Sequence, residues 1–305
     1  MNSLLAIVGP TGVGKSQLAL RLAQAFGGEI VNADSRQIYR YLDVGTAKPS
    51  PQERALVPHH LIDIVNPNEN FSLAQYQQLA LKAIESIQQR DKLPIVVGGS
   101  GQYVWSVLEG WGIPQVAPDP EFRQSLEEKA ARGGEEELHN ELASVDPEAA
   151  ERIDPRNVRR TIRALEVYRE TETPFSQLQR KEAPPFNTLV IGLTTDREEL
   201  YRRIDSRVDR MIEQGLVEEV KQLASRGFSF DMTAISSIGY KQIAHFLKGE
   251  ITLAVAIQQT KFETHRLARQ QYTWFQLEDS RIHWFDIQRT ADMQITSLVS
   301  RLVRK

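Results

Sequence analysis

The chain has no cysteine among its 305 residues, which excludes disulfides, thiol nucleophiles and thiolate metal sites together. Its six histidines show no pair spaced four apart, so a helical zinc site is not expected. No apolar run reaches the roughly eighteen residues of a membrane helix. The N-terminus also lacks the basic segment, apolar segment and cleavage site of a secretion signal. These absences lead to the expectation of a cytoplasmic protein with no membrane contact. Charge of one sign is missing too: the formal net charge is −3, so any site for a polyanion must be local.

What is present is a repeating alternation. Short apolar runs rich in β-branched residues at 4–8, 29–33, 93–97, 189–193 and 282–287 alternate with amphipathic stretches at 16–26, 73–89, 198–224 and 253–276. The runs read as strands of a mostly parallel sheet and the stretches as its covering helices, an α/β doubly wound pattern. The pattern breaks after "GWGIPQVAPDP", where two glycines and three prolines mark a linker. It resumes near residue 183, at "APPFNTLVIGL". The intervening 118–187 is polar and helical, without a strand signal, and is expected to be a helical insertion between core parts 1–117 and 188–305.

The first strand leads directly into "GPTGVGKS", which fits G-x-x-x-x-G-K-[ST] and opens a helix, the context a phosphate-binding loop requires. Gly9, Pro10, Thr11, Gly12, Val13, Gly14, Lys15 and Ser16 form this loop. The glycines let the backbone turn its N–H groups inward, Lys15 supplies a point charge, and the Ser16 hydroxyl can ligate Mg²⁺. A P-loop kinase commonly adds an apolar strand ending in an acidic residue. Here the corresponding strand runs into Gly98, Gly99 and Ser100. A hydroxyl therefore stands where a carboxylate is expected, which weighs against a small-molecule or nucleotide kinase while leaving a diphosphate site.

Asp34 and Ser35 end the second strand, on the edge of a parallel sheet that also carries the loop. Two roles fit Asp34: accepting a proton or hydrogen bond from an attacking group, or capping a following helix. In "DPRNVRRTIRALEVYRE", Arg156, Arg159, Arg160 and Arg163 lie on neighbouring helical faces, with Val158, Ile162 and Leu165 on the buried side. Such a helix either clamps a polyanion or presents a solvated face paired to Glu166 and Glu170. In "LYRRIDSRVDRMI", Arg203, Arg207 and Arg210 face away from the apolar positions, and one of them is placed to reach phosphate. Lys261, His265 and Arg269, interleaved with Tyr272, Trp274 and Phe275, suit base stacking or a core. His59 and His60 read as structural. Around Gly239, "SSIGYKQI" forms a polar turn that composition alone does not interpret.

Seven segments in order, "GPTGVGKS", "NADSRQIYRYLDVGTAKPS", "PHHLIDI", "FSLAQY", "VVGGSGQYVWSVLEG", "NVRRTIRALEVY" and "IGYKQ", resemble the tRNA dimethylallyltransferases over nearly the whole chain. That resemblance implies a P-loop NTPase-like core with a helical insertion. It implies dimethylallyl diphosphate as donor, Mg²⁺ as cofactor, and a tRNA anticodon stem-loop as acceptor of the five-carbon group on adenosine N6; a monomer is expected. Asp34 would take the N6 proton, while Ser100, Lys15 and Arg207 act at the reacting centre and on the leaving diphosphate. Carried over by matching segments, the tRNA contacts would be Asp34, Ser35, Arg36 and Gln37, with Ser100 and Arg123. Arg159, Arg160, Thr161, Ile162 and Arg163 would add to them, as would Ser236, Ser237, Ile238, Gly239, Tyr240 and Lys241. Ser100 stands where family members usually carry Thr, and Gln102 where they carry Leu or Met. Two rival readings remain: a kinase with ATP in the loop, and an RNA-binding switch that senses nucleotide without catalysis.

Overall fold

The inner strands are buried on both faces and so take mostly apolar, β-branched sequence, while the edge strands are partly exposed. In the computed structural model, which describes residues 2–182, 186–289 and 292–304, the strands are β1 (Ser3–Val8), β2 (Gly28–Asn32), β3 (His59–His60), β4 (Leu93–Val97), β5 (Asn187–Thr194) and β6 (Ile282–Asp286). They form one sheet in the order β3-β2-β4-β1-β5-β6, with every pairing parallel. Register brings Ile7 beside Val97 and Val97 beside Asn32. The carboxyl ends of β1, β4 and β2 are thus adjacent on one edge, where ligands of open α/β sheets bind.

The chain divides into two compact units, Met1–Leu108 with Pro185–Lys305, and Glu109–Pro184. In the first, the helix Lys15–Phe26 buries Leu18, Ala19, Leu22 and Ala23 against the sheet. The last helix, Asp292–Val303, contributes Ile295, Val299 and Leu302 to the same core. No helix of the described residues is long and apolar enough to cross a membrane.

The second unit has its own core of Leu126, Leu138, Leu142, Ile162 and Leu165, supplied chiefly by helices Pro120–Ala131, Glu135–Val145 and Val158–Thr171. Its boundary falls earlier than the proline-rich stretch suggests, because "GWGIPQV" is not free. Trp111 bridges Lys181, the Gly112 N–H donates to the Arg180 carbonyl at 2.6 Å, and the Glu182 N–H donates to the Gly110 carbonyl at 3.0 Å. The outgoing and returning segments form a neck belonging to the insertion. The expected restart of the core at 183–185 lies outside the described residues.

Two further differences have plain causes. The expected helix over 198–224 is two, Arg197–Glu213 and Leu216–Ser225, because Gly215 between them takes φ +99° and ends the first. Strand β3 has only two residues, too short for a period to show. His59 and His60 have structural partners there: His59 Nδ1 is 2.8 Å from the Val57 carbonyl, and His60 Nε2 is 2.7 Å from Glu29.

Candidate active site

Gly9, Gly12 and Gly14 all hold positive φ, the conformation that wraps the loop between β1 and the first helix with its amides inward. Lys15 folds back, donating to the Pro10 carbonyl at 2.8 Å. Its ammonium is pulled down to about 7, first by burial and next by the charge of Arg207, with Asp34 working the other way. Arg207 is likewise lowered, by burial and by Arg210, again against Asp34. Its guanidinium reaches Thr11 Oγ1 at 3.5 Å and the Thr46 carbonyl at 3.3 Å. Two desolvated cations pointed at one phosphate loop, each disfavoured in its charged form, describe a hole for an anion of more than one charge.

Asp34 stands opposite. The chain beyond β2 is a turn, and the next helix is Pro51–Leu56, so the helix-capping role weighed for Asp34 does not hold. Instead Oδ1 accepts from the Arg36 N–H at 2.8 Å, closing a turn that fixes the carboxylate. Oδ2 meets no partner among the described residues and is available for chemistry. Beside it, Ser100 Oγ accepts from the Ser35 N–H at 3.1 Å and lies 3.3 Å from Ser35 Oγ. The close approach of β4's end to β2's end depends on Gly98, where a Cβ would sit 2.0 Å from the Ala33 carbonyl oxygen. Gln102 is exposed on the next turn.

The "DVGTAKP" segment is a braced platform behind these groups. Lys48, its side chain only 1% exposed, donates to the Tyr39 carbonyl and to Asp43 and Asp63. Burial raises the Asp63 pKa, but Lys48 and Arg54 outweigh it and hold the carboxyl below its ordinary value. Glu219 caps the turn, accepting from the N–H groups of Val44, Asp43 and Gly45 at 2.7, 3.1 and 3.2 Å and from Tyr240 OH at 2.5 Å. Gln37 Nε2 donates to the Thr46 carbonyl at 3.1 Å, the same carbonyl Arg207 reaches.

This packing sorts the residues expected at tRNA. Tyr240 is fully buried against Gly45, and Ser237 and Gln37 are buried, all three serving the platform or its neighbours. Their side chains face the protein interior. Gly239 is buried as well, whereas Ser236 and Lys241 are exposed and Ile238 half-buried. Arg36 is tied to the Thr233 carbonyl at 2.9 Å, which joins the Asp34 turn to the 236–241 segment. Arg203 is taken by Glu199, and Arg210 is exposed.

Within the second unit a similar sorting appears. Thr161 and Ile162 are buried. Glu166, only 2% exposed, is no solvated partner: it accepts from Arg123 Nε and Nη2 at 2.7 Å each, from Arg163 at 2.5 Å and from the Asp119 N–H at 2.8 Å. Burial raises its pKa, and the bonds from Arg123, the Asp119 amide and Arg163 outweigh that and leave the carboxyl below its usual range. Arg123 and Arg163 are therefore spent on the fold. Arg159 and Arg160 are exposed, and their guanidinium groups meet no partner among the described residues.

Sequence reasoning missed Gln271. It is 8% exposed, and its side-chain amide accepts from the Thr11 N–H at 2.7 Å while donating to the Gly99 carbonyl at 3.0 Å. It thus fastens the phosphate loop to the segment that carries Ser100. The signal was a glutamine on the buried face of the helix Leu253–Trp274, in register with Thr260, Ala268 and Phe275. The aromatics read there as stacking groups or core divide: Phe275 is core, Tyr272 OH lies 2.8 Å from Thr194 Oγ1, and His265 stacks on Tyr201.

Comparison with known proteins decides the lineage. The family model described as IPP transferase matches residues 37–278. The chain belongs to the IPP transferase family. A tRNA dimethylallyltransferase of Dehalococcoides mccartyi is 52% identical over 97% of this chain and 91% of its own length. One of a Roseiflexus species is 53% identical over 90% of each. Among solved structures, the tRNA isopentenylpyrophosphate transferase of Bacillus halodurans aligns with TM-score 0.74 and 40% identity, covering 100% of this chain and 97% of that one. A eukaryotic dimethylallyltransferase acting on tRNA aligns with TM-score 0.83 and 29% identity, over 98% of this chain and 78% of that one. The fold shared with these family members is the P-loop NTPase-like α/β core.

Proposed function

We propose that the chain transfers a dimethylallyl group from dimethylallyl diphosphate to N6 of the adenosine 3′-adjacent to the anticodon in cytoplasmic tRNA, releasing diphosphate. One observation carries the reading: two desolvated cations, Lys15 and Arg207, converge on the phosphate loop within charge range of a carboxylate, Asp34, whose second oxygen is free. In this reaction the allylic C–O bond breaks, the N6–carbon bond forms, and one N6 proton is lost. Charge grows on the departing diphosphate, where the loop amides, Lys15 and Arg207 receive it. Asp34 Oδ2 accepts the N6 proton, its carboxylate aimed by the Arg36 N–H. The Ser100 hydroxyl, held by the Ser35 amide, lines the space between.

Mg²⁺ fits the donor set. The described residues hold no group of three His, Asp or Glu that would cage a metal, and Ser16 places one exposed hydroxyl at the loop's end. That suits an ion held mainly by substrate oxygens and water. Bound there, it would neutralise diphosphate charge in the leaving group.

The adenosine must leave its stack to meet Asp34, and of the cations expected at tRNA, Arg159, Arg160 and Lys241 are exposed and open to RNA phosphate. Incubation of the protein with unmodified tRNA, Mg²⁺ and labelled dimethylallyl diphosphate tests the reading. Label on a single adenosine and a tRNA heavier by one five-carbon unit are expected. Phosphate transferred from ATP, or tRNA of unchanged mass, would refute it.

A further inference from the structure

Outside the phosphate site, the first unit carries an open groove of about 800 Å³ between the helices Tyr240–Leu247 and Leu253–Trp274. On its floor stands Phe262, 61% exposed, with no ring contact and no cation over its face among the described residues. Tyr41, also exposed, is by contrast covered by Arg226 at 4.4 Å and leans on Phe228. An uncovered phenyl ring presents a π-face on which a partner can stack.

Its surroundings say what. Lys241 lines one wall and Arg266 the other. Lys241 meets no carboxylate among the described residues, while Arg266 makes a long ion pair at 3.9 Å with Glu263, which also lines the groove, so one cation is free and the other only loosely held. One helical turn before Phe262, Gln258 and Gln259 are exposed, their amides uncommitted among the described residues. A ring for stacking, two cations for phosphate and two amides for base edges together match an unpaired nucleotide of RNA. The groove also includes Ser236 and Ile238, and the segment holding them is bonded through Thr233 to Arg36, two residues from Asp34.

We infer that this groove is a stacking subsite for an unpaired nucleotide of the tRNA anticodon loop other than the adenosine being modified, with Phe262 as platform and Lys241 and Arg266 on the flanking phosphates. The inference rests on the proposed tRNA-modifying function. Loss of one base stack corresponds to roughly 5- to 160-fold in affinity.

The test uses an anticodon stem-loop with 2-aminopurine at each unpaired position in turn. One position is expected to quench on the parent protein and not on Phe262→Ala. That variant should raise KM for tRNA by the stated factor and leave KM for dimethylallyl diphosphate unmoved. Phe262→Trp should restore binding and Phe262→Leu should not, and Lys241→Gln or Arg266→Gln should each lower the salt slope of binding by about one ion. Equal tRNA affinity for parent and Phe262→Ala overturns the subsite while prenylation by the parent keeps the function. A parent that is a dimer and falls to monomers on Phe262→Ala also overturns it, making the groove a self-association face. Absence of tRNA binding by the parent removes both.

Discussion

The two arginine-bearing regions of this chain follow opposite electrostatic rules. In the insertion, Arg123 and Arg163 close on a buried carboxylate, Glu166, and every charge in the cluster has a partner. At the phosphate loop, Lys15 and Arg207 face one another's charge, and the fold disfavours both charged forms. A buried pair is scaffolding, because breaking it strands a charge. Desolvated cations of like sign that a single carboxylate, Asp34, only partly offsets mark a site, because a bound anion relieves them further. Counting arginines in sequence cannot separate the two cases; what each guanidinium touches does.

The largest effect is expected at Asp34, a carboxylate in charge range of both cations. Asp34→Asn keeps an oxygen for the Arg36 N–H but removes the proton acceptor. We expect kcat to fall by roughly 10²- to 10⁴-fold with tRNA affinity nearly unchanged, measured by single-turnover prenylation and by filter binding. Lys15→Met comes next, with kcat/KM for dimethylallyl diphosphate reduced by roughly 10²- to 10³-fold.

Lys15 also sets a pH dependence with a definite sign. Its folded pKa of about 7 lies below the ordinary 10.5, so between those values the unfolded chain binds more protons and the ligand-free protein gains stability as pH rises. A bound diphosphate restores the charge, so binding above about pH 7 takes up a proton and weakens as pH rises, by up to about tenfold per unit. Titration calorimetry in two buffers of different ionisation enthalpy should show that uptake in the parent and none in Lys15→Met.

Gln271→Leu is smaller. It leaves the Thr11 N–H and the Gly99 carbonyl unsatisfied at about 1–3 kcal/mol each, and loosens the distance between diphosphate and Ser100. KM for dimethylallyl diphosphate should rise and kcat fall by roughly tenfold, with tRNA affinity unmoved. Gln271→Glu, which keeps the acceptor for Thr11 but loses the donor to Gly99 and sets a negative charge beside the phosphate loop, should lose more diphosphate affinity than Gln271→Leu.

Much of this was legible in the chain because buried parallel strands leave continuous apolar runs and the phosphate loop leaves a fixed spacing. Leu4, Ile7 and Val8 announce β1 as plainly as Gly14 and Lys15 announce the anion cradle after it. The pairing partners were not legible. Glu166 looks like any helix-surface glutamate at three residues from Arg163, and nothing local shows that the helix Pro120–Ala131 brings Arg123 to it from 43 positions away. Tyr240 sits in a polar string, yet Glu219 and Gly45 bury it. Gln271 joins two loops through contacts 260 and 172 residues apart in sequence, beyond any periodicity. Local order is written locally, and the sorting of charges into scaffold and site is a tertiary fact.

The mildest effects fall on the insertion, where direction rather than size separates a paired cation from an unpaired one. Arg159→Ala removes an exposed cation with no partner among the described residues, so thermal stability should hold while the salt slope of tRNA binding drops by about one and affinity weakens a few-fold. Arg123→Ala removes a guanidinium from Glu166 and leaves Arg163 and the Asp119 amide to hold the carboxylate. Thermal stability should fall, by about 1–3 kcal/mol, and the salt slope should stay as it was. If instead Arg123→Ala flattens the slope and leaves the melting temperature alone, Glu166 is not what Arg123 is for, and the division between paired scaffold and unpaired site fails in the insertion.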